Sequence, residues 1–351
     1  MSTILGHSGE VDGPCIRIGL VNNMPDAALA RTELQFQSLL VQAAPGVPVQ
    51  VSLFTLPGVP RGDAGRYHLE AQRYRSSDAI TDSPLNALIV TGAEPRVPNL
   101  EDEPFWGAMT ALLDRLQRTG QPTLFSCLAA HAAVLHFDGL RRRRLAQKRF
   151  GVFEHVKARQ HILTDGLNQN VRVAHSRCNE LSEDDLEGNG YRVLTHAPEA
   201  GVDLFVKSGR DSWLFCQGHA EYDADSLGQE YRRDVRRFLA GAREQYPAIP
   251  RNYFGEKAVE LLMRFESRAR SRRSESLMAD FPTLAHSYTD YDASKSSVAT
   301  ILRAWLQGTV RGKYAMDEKS VRWHRNYERT AVSSDNFKHA TDRPRLRVFQ
   351  G

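Results

Sequence analysis

The stretch from Thr123 to Leu135 (TLFSCLAAHAAVL) constrains this chain more than any other. After Gly120-Gln121-Pro122 a short apolar run reads as a buried strand. It stops at Cys127, where an alanine-rich segment of helical character begins at once. A side chain at such a corner is pushed out over the carboxyl edge of an α/β sheet, in front of the unpaired N–H groups and positive end of the helix. That setting favours thiolate over thiol and offers backbone donors to an oxyanion, which makes Cys127 a candidate nucleophile. Free cysteine is also among the most buried residue types, so the stretch alone fits an inert core thiol equally well.

The rest of the sequence fills in an α/β pattern. Ile16 to Val21 reads as a first strand ending in the polar corner Asn22-Asn23-Met24-Pro25-Asp26; apolar residues from Leu29 to Leu40 recur at mostly helical spacing, and Val47 to Leu56 reads as the next strand. This is a βαβ opening, which implies parallel strands. Residues 57–84 are polar and read as a long surface excursion. Leu85 to Val90 forms another buried strand closing on Thr91-Gly92-Ala93, Trp106 to Leu116 an amphipathic helix, and residues 159–206 short β-like pieces with His175-Ser176-Arg177 on a loop between two of them. Trp213 to Gly218 is a further buried strand that delivers His219-Ala220-Glu221-Tyr222-Asp223, and Asp225 or Ser226 can cap the helix that follows. The expected organisation is a loose leader over residues 1–14, an α/β catalytic domain over 15–255, a helical C-terminal extension over 256–312 that packs back, and a basic, mobile tail over 313–351.

Composition narrows the class. At 351 residues the chain can bury one large core, and its four cysteines (Cys15, Cys127, Cys178, Cys216) form no CxxC pair. With no signal-peptide pattern, a reduced, cytoplasmic protein is expected. No run approaches the roughly 20 apolar residues of a membrane span. No metal, dinucleotide or Walker motif appears, and no bound cofactor, nucleic acid or membrane partner is expected. The formal charge of +4 is small but uneven. Arg141 to Arg144 form a solid basic run, either a solvated face or a landing site for a phosphorylated ligand.

Three residues at strand ends suggest chemistry. A thiol (Cys127), an imidazole (His219) and a carboxylate (Glu221) brought to one sheet edge would make a nucleophile, its base and the group that orients the base. His131, one helical turn after Cys127, competes as the base, but it is drawn into the helix body.

The ordered series Asn23-Met24-Pro25, Thr32-Glu33-Leu34-Gln35-Phe36, Val90-Thr91-Gly92-Ala93, Leu124-Phe125-Ser126-Cys127, Gly151-Val152-Phe153-Glu154-His155, His175-Ser176-Arg177, Gly218 to Asp223, Arg233-Asp234, Asn252-Tyr253-Phe254 and Trp305-Leu306 resembles the homoserine O-acyltransferase (homoserine O-succinyltransferase) family. The resemblance runs from about residue 16 to 310 and implies a class I glutamine amidotransferase-like, flavodoxin-like α/β fold: a mostly parallel sheet flanked by helices, with a C-terminal helical extension. It implies transfer of a succinyl or acetyl group from acyl-CoA to the hydroxyl of L-homoserine, in methionine biosynthesis, by a ping-pong mechanism. Cys127 would carry the acyl group as a thioester, His219 would be the base and Glu221 would hold its tautomer. Lys148, Ser176 and Arg233 would bind substrate, backbone N–H groups at Gly92 and Leu128 would form the oxyanion hole, and Arg96 would occupy the position that selects the acyl group. Succinyl-CoA or acetyl-CoA would be the co-substrate, and a homodimer is compatible with the resemblance.

The sequence departs from the family pattern at Leu128 and His131, where Trp and Gln are usual, at Asp26-Ala27-Ala28, at Ala220 in place of proline, and at Arg96 in place of Gly or Glu. A guanidinium at 96 could pair with a succinyl carboxylate. Acylation of serine or another hydroxy amino acid, a glutamine amidotransferase-like hydrolase, and a binding protein without turnover are the alternatives these departures leave open.

Overall fold

A computed structural model describes residues 4–5, 15–167, 170–283 and 292–314. The elements in chain order are β1 (Ile4–Leu5), β2 (Ile16–Val21), α1 (Leu29–Ala43), β3 (Val49–Thr55), α2 (Asp63–Ala71), β4 (Arg75–Ser76), β5 (Ala87–Val90), α3 (Trp106–Thr119), β6 (Thr123–Ser126), α4 (Leu128–Asp138), β7 (Arg143–Lys157), β8 (Val171–Glu180), α5 (Glu183–Gly188), β9 (Tyr191–Val193), β10 (Thr195–Ala197), β11 (Gly201–Val202), β12 (Leu204–Lys207), β13 (Arg210–Cys216), α6 (Ser226–Leu239), α7 (Glu256–Ser271) and α8 (Asp292–Tyr314).

The main sheet runs β1-β3-β2-β5-β6-β13-β12-β9, with β4 also pairing β3. From β1 to β13 every pairing is parallel, and β12 and β9 close the far side antiparallel. The central strands β5 and β6 are buried at every position, as expected where helices cover both faces of a parallel sheet. The α/β class with a mostly parallel sheet and flanking helices is therefore the observed one. A second, antiparallel sheet, β11-β10-β7-β8, stands at its carboxyl edge. It is joined there by the His219 N–H, which donates to the Ala174 carbonyl of β8 (2.8 Å). This approach needs Gly218: a Cβ there would lie 2.6 Å from Val173 and 2.9 Å from Asp203, and the Asp203 carboxylate accepts the Gly218 N–H (2.8 Å).

Several expectations change. The 57–84 excursion contains α2 and β4, short elements whose polar faces hide their periodicity. His175-Ser176-Arg177 lies within β8, not on a loop, because β8 is a ten-residue strand paired along β7. The basic run is the entry to the fifteen-residue β7. Asp225 is the residue before α6 but gives it no side-chain cap, since its carboxylate bonds Arg31. In the leader, Ile4 and Leu5 pair in parallel with β3; its other residues, and the tail from 315 on, lie outside the described residues. Helix α8 packs on α1, β8 and β13. It buries Trp305, whose indole N–H donates to the Ser212 carbonyl (2.9 Å), and truncating such a ring to alanine costs about 3 to 5 kcal/mol.

Candidate active site

Parallel register decides what meets at the sheet's carboxyl edge. Cys216, the last residue of β13, pairs with Ser126, the last of β6, and the Cys127 N–H donates to the Cys216 carbonyl (2.8 Å). Cys127 and the turn that carries His219 therefore leave neighbouring strands side by side. Cys127 sits at φ 53°, ψ −113°, a strained conformation for a residue with a side chain, of the kind found at functional corners. One strand over, β5 ends at Val90 and the chain runs on to Gly92. A Cβ there would lie 3.1 Å from the Leu128 nitrogen, the first N–H of α4 and one that has no intrahelical acceptor. Asn23 ties these strand ends together. Its backbone N–H donates to the Thr91 hydroxyl (2.8 Å), its amide to the Thr91 carbonyl (3.2 Å), and its side-chain oxygen accepts the Leu56 N–H (3.1 Å).

His219 Nδ1 bonds Glu221 Oε1 (2.9 Å), both residues are buried, and the imidazole stacks on Tyr222 at 4.1 Å between ring centroids. Burial pulls the His219 pKa down. The charges of Cys127 and Glu221, with the Glu221 hydrogen bond to the ring, outweigh it and hold the pKa well above the usual histidine range. His131 behaves oppositely. Its Nε2 bonds Gln217 Oε1 (3.0 Å) and burial pushes its pKa down to about 3, so it is a neutral ring. Gln217 is itself fixed by Leu181 and Val202 backbone groups.

Above Cys127 opens a cavity of about 270 Å³. Cys127, His219, Gly92, Leu128, Lys148, Ser176 and Arg233 all line it, as do Arg142, Arg144, Cys178 and Glu230. Lys148 arrives there because the β7/β8 register jumps from Arg144↔Asn179 to Arg149↔Arg177, leaving unpaired residues on β7 that re-aim its side chains. The Lys148 ammonium lies 3.4 Å from Glu230, 3.7 Å from Asp234 and 3.9 Å from the centre of the Phe150 ring. Ser176 Oγ donates to Glu230 Oε2 (2.5 Å) and the Tyr222 hydroxyl to Oε1. Although burial raises the Glu230 pKa, Lys148, Ser176, Tyr222 and His219 together hold it below the usual range. Arg233 is half-exposed and bonds Asp234 (3.0 Å), with Glu230 at 3.8 Å.

Glu230 escaped the sequence reading. Its signal was its place three residues before Arg233 in α6, on the same helix face. Arg96 is exposed and not among the residues lining the cavity; its backbone N–H and that of Val97 donate to Glu103 Oε1 (2.7 and 3.1 Å).

A family model described as homoserine O-succinyltransferase matches residues 7–307. The chain belongs to the homoserine O-succinyltransferase family. As a member of that family it is an acyltransferase. The homoserine O-succinyltransferase of Methylorubrum extorquens is 47% identical over 291 residues, which is 83% of this chain and 86% of that one. That of Rhodopseudomonas palustris is 44% identical over 291 residues, covering 83% and 87%, and that of Bradyrhizobium japonicum 46% over 270, covering 77% and 83%. Among solved structures, a glutamine amidotransferase from Thermotoga maritima aligns with a TM-score of 0.48 at 11% identity over 85% of this chain and 99% of that one. Among the described residues no group of three or more His, Cys, Asp or Glu side chains could hold a metal ion, and no helix is long and apolar enough to cross a membrane.

Proposed function

We propose that this chain transfers a succinyl group from succinyl-CoA to the hydroxyl of L-homoserine through a thioester on Cys127, a step of methionine biosynthesis. The observation that carries this reading is the meeting of Cys127, His219 and Glu221 at adjacent strand ends in a member of this family.

In the first half-reaction the Cys127 sulfur attacks the thioester carbonyl carbon of the donor. An imidazolium at 219 is the electrostatic partner such a nucleophile needs, and Glu221 keeps it in place. The backbone N–H groups at Gly92 and Leu128 receive the oxyanion. As the carbon–sulfur bond to CoA breaks, the His219 proton passes to the leaving thiolate. In the second half-reaction neutral His219 takes the proton of the acceptor hydroxyl, whose oxygen attacks the acyl carbon, and the Cys127 sulfur leaves. The two thioesters are close in energy, so neither half is steeply uphill.

For the acceptor, Glu230 offers a carboxylate to an α-ammonium group, while Arg233 and Lys148 offer cations to an α-carboxylate. Incubation with succinyl-CoA should add one succinyl group by intact mass, lost in Cys127→Ala, and homoserine should discharge it. A matrix of succinyl-CoA and acetyl-CoA against homoserine and serine fixes donor and acceptor. Absence of any acyl adduct on Cys127 overturns the reading.

A further inference from the structure

The four consecutive arginines divide by parity. Arg141 holds Glu101 with both terminal nitrogens (2.7 and 3.0 Å), and Arg143 bonds Asp185 (2.7 Å). Arg142 and Arg144 line the cavity instead, because extended chain sends alternate side chains to opposite faces. The outer pair is thus neutralised on the surface, and the inner pair is not. Arg142 is half-buried; among the described residues its side chain makes one hydrogen bond, from Nη2 to the Pro98 carbonyl (3.2 Å), and neither it nor Arg144 forms an ion pair. Arg142 lines the same cavity as Cys127 and Cys178 and is tied through the Pro98 carbonyl to the segment after Gly92. Glu103 does not bond it: one oxygen of that carboxylate accepts the 96 and 97 N–H groups and the other, buried, has no hydrogen-bond partner among the described residues.

The other cations of the cavity already face partners within this chain, and Lys148 and Arg233 are the two proposed above for the acceptor carboxylate. Lys148 and Arg233 are answered by Glu230 and Asp234. Arg177 donates to His175 Nδ1 (3.2 Å) and to the Asn179 (2.8 Å) and Ala200 carbonyls. A partly desolvated guanidinium with no counter-anion is a site for one, and its planar fork suits a carboxylate.

We propose that Arg142, with Arg144 reinforcing it, receives the free carboxylate of a succinyl group carried on Cys127, and so sets the preference for a dicarboxylic acyl donor over a neutral one. This deepens the thioester reading and rests on it. Arg142 rather than Arg96 is then the charge that selects the acyl group.

The test compares rate constants for acylation of Cys127 by succinyl-CoA and by butyryl-CoA, a neutral donor with the same number of acyl carbons, using intact mass. Arg142→Met should lower the succinyl-to-butyryl ratio about tenfold or more, the loss expected for one charge-assisted contact, while the butyryl rate stays within about threefold of wild type. Arg142→Gln, which keeps a donor for the Pro98 carbonyl, should give the same drop, and Arg142→Lys should retain more of the ratio. Arg96→Ala should leave it within about twofold. The inference is overturned if both neutral variants keep the wild-type ratio, if they slow the two donors in parallel, or if Arg96→Ala alone collapses the ratio. A wild-type chain that succinyl-CoA does not acylate overturns the thioester reading and this inference with it; a wild type that is acylated while Arg142→Met discriminates as well overturns the inference alone.

Discussion

The two sheets contribute to the cavity in different ways. The parallel sheet supplies Cys127, Gly92 and His219 from the ends of β6, β5 and β13, where main-chain register alone brings them together. The antiparallel sheet supplies Lys148, Ser176 and Cys178 from within β7 and β8, and α6 answers with Glu230 and Arg233 through side-chain charge pairs. The proposed reacting atoms are thus held by backbone, which tolerates little displacement. The proposed binding groups are held by one another through side-chain charge pairs.

The largest effect should come from the parallel edge. Cys127→Ala should reduce succinyl transfer about 10⁴-fold or more with a melting temperature close to wild type, as read by coupled assay and thermal melts. Appreciable residual transfer would dissolve the distinction between the two sheets.

Glu221→Gln should lower the rate about 10² to 10⁴-fold and also changes stability with a definite sign. The folded-state pKa of His219 is raised, so the stabilisation from its charged form is complete below the unfolded pKa of about 6.5. It is lost as pH rises through the folded value. Wild type should therefore exceed Glu221→Gln by on the order of 1 to 3 kcal/mol near pH 6 in urea unfolding, with the gap narrowing at alkaline pH. A gap that widens with pH would exclude this ion pair as its source.

On the antiparallel side, Glu230→Gln should raise the KM for homoserine about 10 to 100-fold and leave acylation by succinyl-CoA within about twofold. Slowed acylation would mean that the binding network also props up the catalytic edge. The smallest effect belongs to the outward arginines. Arg141→Ser and Arg143→Ser remove exposed ion pairs worth about 0 to 1 kcal/mol, and both half-reactions should run at wild-type rates.

Legibility in the sequence follows the same division. The corner at Cys127, the glycine after β5 and the His219-x-Glu221 turn could be read because each is a local event: an apolar run ends and a small or polar residue takes the edge. His131 could be read only as a competitor. One helical turn from Cys127 is close in sequence, and its neutrality depends on Gln217, 86 residues away. The β8 residues His175 to Arg177 read as a loop because their polarity masks a strand whose partners come from β7.

By itself, then, the sequence determined the alternation of strand and helix, the parallel order it forces, and the three residues that strand ends would present, since each depends on neighbours along the chain. The tertiary structure alone decided that Glu230 would gather Lys148, Ser176 and Tyr222, that Arg142 would join the cavity's lining and Arg96 would not, and that one histidine's pKa would be raised and the other's lowered. Those outcomes depend on which distant charges and how much water surround a side chain, and a linear pattern of residue types does not encode distance.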